Sequence, residues 1–145
     1  LSEEVAMGYL IEEMFLSHFD QTMQLWKASD GVHLKSVDSR ETIGRFLKRN
    51  SGLSYVAIEN NKVIGAVLCS HDGRIGFLTH LAVDPDYRRQ GIGRSLVGRC
   101  LYALMGIGIS QCALMLFEED QNALDFFKTI ALSGRVEMLM MKKLE

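Results

Sequence analysis

Apolar and polar residues recur along this chain in two rhythms, one of period two and one near 3.6, and their order predicts the elements. Residues 1–8 carry little pattern and read as a tail, and Tyr9 to Leu16 can form a first strand. Ser17 to Asp20 supplies cap residues for a helix through Met23, Leu25 and Trp26, and Ser39 can cap a second through Ile43, Phe46 and Leu47. The polar loop between them, Ser29 to Asp38, is either the border of a substrate site or a solvated connection.

Tyr55 to Glu59 and Lys62 to Cys69 read as a β-hairpin joined by Asn60-Asn61, because asparagine tolerates the positive φ of a two-residue turn. Asp72-Gly73 then leads into a fourth strand, Ile75 to Val83, which Pro85 ends because it has no N–H for the ladder. Ile92, Leu96, Cys100 and Leu104, with Val97 and Leu101, form one helical stripe that Gly106 and Gly108 stop. Cys112 to Phe117 is a fifth strand, and the helix before it makes a parallel crossover natural. Asp120 caps a last helix through Ala123, Leu124, Phe126 and Phe127, and Ser133-Gly134 precedes a final strand, Val136 to Lys142. The order β, α, α, β, β, β, α, β, α, β predicts an α/β (α+β) class, a mixed central sheet with helices packed on it. No internal repeat divides residues 1–145, which read as a single domain.

Composition narrows the function classes. At 145 residues and 48% apolar content the chain can bury a core, and a net charge of −2 argues against wholesale nucleic-acid binding. Cys69, Cys100 and Cys112 sit singly in apolar runs, an odd number without zinc or disulfide spacing, which points to a reducing, cytoplasmic setting. No apolar run is long enough to span a membrane, and the N-terminus lacks the order of a signal peptide. His18, His33, His71 and His80 are scattered, with no i,i+4 pair for a helix-borne metal.

The candidate chemistry lies where the fourth strand meets the long helix: Arg88-Arg89-Gln90-Gly91-Ile92-Gly93-Arg94-Ser95. A helix N-terminus leaves its first N–H groups without partners and carries partial positive charge, so a turn without bulky side chains admits an anion. Three arginines add full charges, and a phosphate or pyrophosphate is the expected ligand. The bland alternative is a tight strand-to-helix join with solvated arginines. A dinucleotide-binding turn fits less well, since Leu96 stands at its third glycine position, and the Gly-Lys-Ser/Thr of a P-loop is absent.

The turn and the element order together resemble the GCN5-related N-acetyltransferase family, whose signature is Gln/Arg-x-x-Gly-x-Gly/Ala between the fourth strand and third helix. Arg88 to Gly93 fits it, with Leu81-Ala82-Val83-Asp84-Pro85 leading in and Leu96-Val97 continuing. The resemblance spans about Leu16 to Leu144. It implies a sheet splayed between strands 4 and 5 by a bulge in the fourth, with helices on both faces, and acetyl-coenzyme A as co-substrate. Its pyrophosphate would sit on the N–H groups of Arg89 to Arg94, with Arg88, Gln90, Gly91, Ile92, Gly93 and Ser95 around it. Its pantetheine arm would pair with the backbone of Leu81, Ala82 and Val83, the gap lying between that strand and Met115 to Phe117. The Val83 N–H would be the oxyanion donor, and a primary amine the acceptor.

The chain departs from the family after the fifth strand. Alignment on Ala123 puts Asp120 where the family has Asn and Phe127 where it has the Tyr that serves as general acid; Asn122 is the nearest substitute for the Asn contact. Phe127 has no proton to give, so water would protonate the thiolate, or the chain is an acyl-coenzyme A sensor without turnover. For a base, His80 has suitable chemistry and Glu118 is a second candidate, although a lone histidine among apolar residues is more often a hydrogen-bonded packing residue. Thr79 and His80 point to opposite faces unless a bulge intervenes. Asp30, His33, Lys35 and Asp38 in the loop select no acceptor charge. The short, methionine-rich end, with Met138, Met140 and Met141, leaves the acceptor side open and suggests a homodimer that covers it.

Overall fold

The computed structural model describes residues 8–29, 31–117, 121–130 and 136–141. Asp30, Glu118, Asp120 and the Ser133-Gly134 turn lie outside the described residues. The strands are β1 (Leu10–Glu13), β2 (Tyr55–Glu59), β3 (Lys62–His71), β4 (Gly76–Val83), β5 (Cys112–Phe117) and β6 (Val136–Met141). The helices are α1 (Phe19–Lys27), α2 (Arg40–Arg49), α3 (Ile92–Gly106) and α4 (Gln121–Ile130).

The six strands lie in the order β1-β2-β3-β4-β5-β6. The pairings from β1 to β4 are antiparallel. The β4–β5 and β5–β6 pairings are parallel, each joined by a helical crossover. Asn60 and Asn61 both take positive φ, 49° and 64°, which closes the β2–β3 hairpin with the right twist. β1 is shorter than the predicted Tyr9 to Leu16. The Phe15 N–H donates to His18 Nδ1 at 2.9 Å, and a 3-10 turn over Leu16–His18 takes the chain out of the sheet. His18 rather than Ser17 then precedes α1, without a side-chain cap, whereas the Ser39 hydroxyl does cap α2, accepting from the Thr42 N–H at 3.2 Å.

Helices cover both faces. Ile92, Leu96, Val97, Cys100 and Leu104 of α3 pack with Ile64, Leu78 and Leu114 on one side, joined by Leu124, Phe126 and Phe127 of α4. On the other side, Phe19, Leu25 and Trp26 of α1 and Ile43 of α2 pack on Val56, Ala66, Leu68 and Ala82. β3 lies between these layers, so Val63 to Cys69 are buried without alternation. Leu96 is fully buried, and its truncation to Ala would cost about 2–5 kcal/mol.

Candidate functional site

β4 and β5 begin side by side and then part. Their pairs are Gly76↔Cys112, Phe77↔Ala113 and Leu78↔Leu114, while β5 goes on pairing with β6 as far as Phe117↔Met141. On the other flank of β4 the register steps from Leu68↔Thr79 to Ala66↔Ala82, so β4 carries one residue more than β3 there. His80, with φ of 56°, is the left-handed residue in that interval. A bulge bends and overtwists its strand, and here it coincides with the departure of β4 from β5.

The bulge also settles where side chains point. Leu78, Leu81 and Val83 pack on the α3 side, and Ala82 on the α1 side. Thr79 and His80, expected on opposite faces of a regular strand, hydrogen-bond to each other through Oγ1 and Nδ1 at 3.1 Å. Past the bulge the strand is regular: the Asp84 N–H donates to the Ile64 carbonyl at 2.8 Å, beside the pair Gly65↔Val83. N–H directions alternate along a strand, so the N–H groups of Val83 and Leu81 point away from β3, toward the side where β5 has left.

The turn that follows leaves backbone N–H groups at a helix start without helical partners. Asp84 accepts the Asp86 N–H at 2.9 Å and starts a 3-10 turn over Pro85–Tyr87. Arg88 is extended, and Arg89 and Gly91 take positive φ, 65° and 80°. Gly91 is the N-cap of α3, and a Cβ there would meet nothing within 4 Å. The first helical bond runs from the Ser95 N–H to the Gly91 carbonyl at 2.9 Å, so the N–H groups of Ile92, Gly93 and Arg94 precede the helical ladder. Arg88, Arg89 and Arg94 are exposed around them, Gln90 and Ser95 are half-buried, and Ser95 Oγ lies 3.2 Å from Tyr9 Oη. Tyr87 braces the turn: the Glu59 carboxylate beside its hydroxyl pushes the phenol above its ordinary pKa, and Lys62 lies 6.0 Å over its ring. Lys62 also pairs with Asp84 at 3.4 Å.

Strand end and helix start meet at Gly93, where a Cβ would lie 3.7 Å from Val83 Cγ2 and 3.2 Å from the ring of Phe126. Thus the end of β4 at Val83 and the turn that opens α3 adjoin one another. Phe126 belongs beside them, which the apolar spacing of α4 alone does not reveal. Phe127 is half-buried against the α3-side core, and Asn122 is exposed in the first turn of α4.

His80 is hydrogen-bonded on both ring nitrogens. Its Nε2 lies 3.0 Å from Asp38 Oδ1, and the Trp26 Nε1–H donates to its carbonyl at 2.9 Å. Trp26 also packs edge-on against the imidazole, ring centres 5.0 Å apart. Asp38 comes from the α1–α2 loop, 42 residues away in sequence, and no local spacing announces the pair. Among the described residues, no group of three or more His, Cys, Asp and Glu could hold a metal ion. The arrangement offers an anion site at a helix start, two amides along an opened strand edge, and a histidine–carboxylate pair on the bulge between them and α1.

The profile of the Acetyltransferase (GNAT) family matches residues 13–131. An acetyltransferase of Pectobacterium atrosepticum is 28% identical over 112 residues, 77% of this chain and 79% of that protein. Among solved structures, the PaiA N-acetyltransferase from Thermoplasma acidophilum, in complex with coenzyme A, superposes with a TM-score of 0.74 at 16% identity, over 84% of this chain and 87% of that one. The aminoglycoside acetyltransferase meta-AAC0020 from an uncultured soil metagenomic sample, in complex with sisomicin, gives 0.73 at 21% identity, over 98% and 99%. At such identities the superpositions speak for the fold, a mixed sheet opened between its fourth and fifth strands, and the match of the family profile to most of the sequence carries the rest: the chain belongs to the GNAT family of acetyltransferases.

Proposed function

We propose that this protein is an N-acetyltransferase that moves the acetyl group of acetyl-coenzyme A directly to a primary amine. The observation that carries this is the junction of two features, the opened edge of β4 at Leu81 to Val83 and the start of α3 at Gly91 to Arg94. An anion on the N–H groups of Ile92, Gly93 and Arg94 would be held by the helix dipole and by Arg88, Arg89 and Arg94, which suits a pyrophosphate. Gln90 and Ser95 would flank it. The pantetheine amides would pair with the β4 edge in the place that β5 vacates. The thioester carbonyl would then meet the Val83 N–H, which would serve as the oxyanion donor, a role supported by its direction away from β3.

Attack needs a neutral amine. A lysine amine, with a reference pKa of about 10.4, needs a base near neutral pH, and an α-amino group, at about 7.7, needs one less. His80 is the base in this reading, supported by its place on the bulge that opens the gap and by its pairing with Asp38. Phe127 can only pack against the coenzyme, so the leaving thiolate takes its proton from the attacking nitrogen or from water. Asn122 would reach the coenzyme from α4. The acceptor class is an amine on a small molecule or a peptide. A homodimer in the cytoplasm completes the reading, supported by β6, whose one described strand neighbour is β5, and by three cysteines that are buried thiols.

Isothermal titration with acetyl-coenzyme A, followed by thiol release across a panel of amines, tests the proposal. Binding together with release from at least one amine supports it. Tight binding without release from any amine would favour an acyl-coenzyme A sensor, and no binding would remove both readings.

A further inference from the structure

Asp38 is 8% exposed, an unusual position for a carboxylate at the end of a short loop turn. Its two oxygens have separate tasks. Oδ2 accepts the Lys35 N–H at 2.9 Å, which fixes the carboxylate on its own turn, and Oδ1 faces His80 Nε2 at 3.0 Å. An ionised carboxylate can only accept, so the hydrogen between them sits on Nε2. In the neutral ring Nδ1 is then the lone pair, and the Thr79 hydroxyl, 3.1 Å away, is its donor. The acceptor-only end thus sets the direction of the whole chain, from Thr79 through His80 to Asp38.

We propose that Asp38 is a positioning residue that holds His80 as the Nε2–H tautomer, and that the Thr79 hydroxyl carries the acceptor's proton to His80 Nδ1. The inference rests on the acetyltransferase reading above. Only the bulge makes the chain possible, because it brings consecutive side chains of β4 to one face. The acceptor's ammonium gives a proton to Thr79 Oγ1 as that hydroxyl gives its own to Nδ1; one O–H bond breaks as another forms, and the imidazolium is left facing Asp38. The neutral amine then forms its C–N bond at the thioester carbon, the C–S bond breaks, the nitrogen's surplus proton passes to the thiolate, and His80 returns its proton to water. Orientation of an imidazole by a buried carboxylate is a known source of catalytic rate, because the wrong tautomer presents a hydrogen where a lone pair is needed.

A purely structural role for the triplet would tie the loop to the sheet and nothing more. Nitrogen-15 NMR of the neutral His80 ring in the whole protein tests the positioning by Asp38, and turnover by variants of Asp38 and Thr79 separates the relay from a structural tie. The proposal expects the Nε2–H tautomer in the wild type and a mixture in Asp38→Asn; the same single tautomer in both would overturn it. With acetyl-coenzyme A and an amine found by the panel, Asp38→Asn and the near-isosteric Thr79→Val should each lower kcat by about 10²-fold with the KM for acetyl-coenzyme A unchanged. Thr79→Ser should recover most of what Thr79→Val loses. If Thr79→Val keeps its kcat within about twofold of wild type, or Thr79→Ser falls as far as Thr79→Val, the relay is wrong even should Asp38→Asn fail to fold. A wild type that turns over no amine defeats the acetyltransferase reading and the relay with it, while the tautomer measurement still decides the role of Asp38.

Discussion

Phe126 of α4 lies over Gly93 in the first turn of α3, so that a Cβ on residue 93 would come within 3.2 Å of its ring. Glycine in a helix normally costs up to about 1 kcal/mol against alanine, so its presence here needs a reason, and the close approach of the ring supplies one. Gly93→Ala is therefore expected to destabilise the protein with Phe126 in place, and to be neutral or stabilising in a Phe126→Leu background. Urea unfolding of the four proteins of this cycle should give a coupling of about 0.5–3 kcal/mol. Equal effects in both backgrounds would show that the ring is not what the glycine accommodates.

Gly91 differs from Gly93 in that no atom crowds it and only its φ of 80° asks for glycine. Gly91→Ala should cost about 1–2 kcal/mol in urea unfolding, and Gly91→Asn less, because asparagine enters the left-handed region more easily. Gly91→Glu should in addition abolish measurable acetyl-coenzyme A binding by titration calorimetry, since its carboxylate would stand where the pyrophosphate is proposed. Retention of affinity in Gly91→Glu would move the coenzyme elsewhere.

The two asparagines and the two glycines show which parts of this fold the sequence displays. Asn60-Asn61 and Gly91 are legible because a positive φ restricts residue choice so strongly that the residue reports the backbone. His80 and Arg89 also take positive φ, yet neither residue type signals it, because their conformations are imposed by the surroundings. The bulge is therefore foreseeable only through the family resemblance, and with it the chance that Thr79 and His80 share a face, which their hydrogen bond bears out. Asp38 and His80 are joined by tertiary folding across the α1–α2 loop, and periodicity carries no information on such a pair. The end of β1 is hidden for the opposite reason: Tyr9 to Leu16 has a strand's composition, but the bond from Phe15 to His18 Nδ1 ends the pairing locally.

Tyr87 joins the β2–β3 hairpin to the Arg88–Ser95 turn at Glu59, whose carboxylate is the leading cause of its raised pKa, ahead of burial. The neutral phenol is the form that donates, so the tie is intact below a tyrosine's ordinary value of about 10 and is lost as pH rises through the higher value of the folded protein. Stability measured by urea midpoint should fall with rising pH in that alkaline window, and less steeply in Tyr87→Phe. An unchanged slope in Tyr87→Phe would show that other groups govern alkaline unfolding.

The chain has one tryptophan, and it holds the bulge. Trp26 is 1% exposed, and its Nε1–H occupies the carbonyl of a residue in left-handed conformation. Trp26→Phe keeps an aromatic ring in the core and removes that donor, at an expected cost of about 1–3 kcal/mol. The loss should not be confined to stability, because the same bulge aims the Leu81 and Val83 N–H groups at the gap; affinity for acetyl-coenzyme A should fall as well. Leu25→Val in the same core cluster is the control, since it trims packing without touching the bulge. If calorimetry on the folded proteins finds both variants binding as the wild type does, then Trp26 stabilises the core without shaping the edge of β4 proposed to meet the coenzyme.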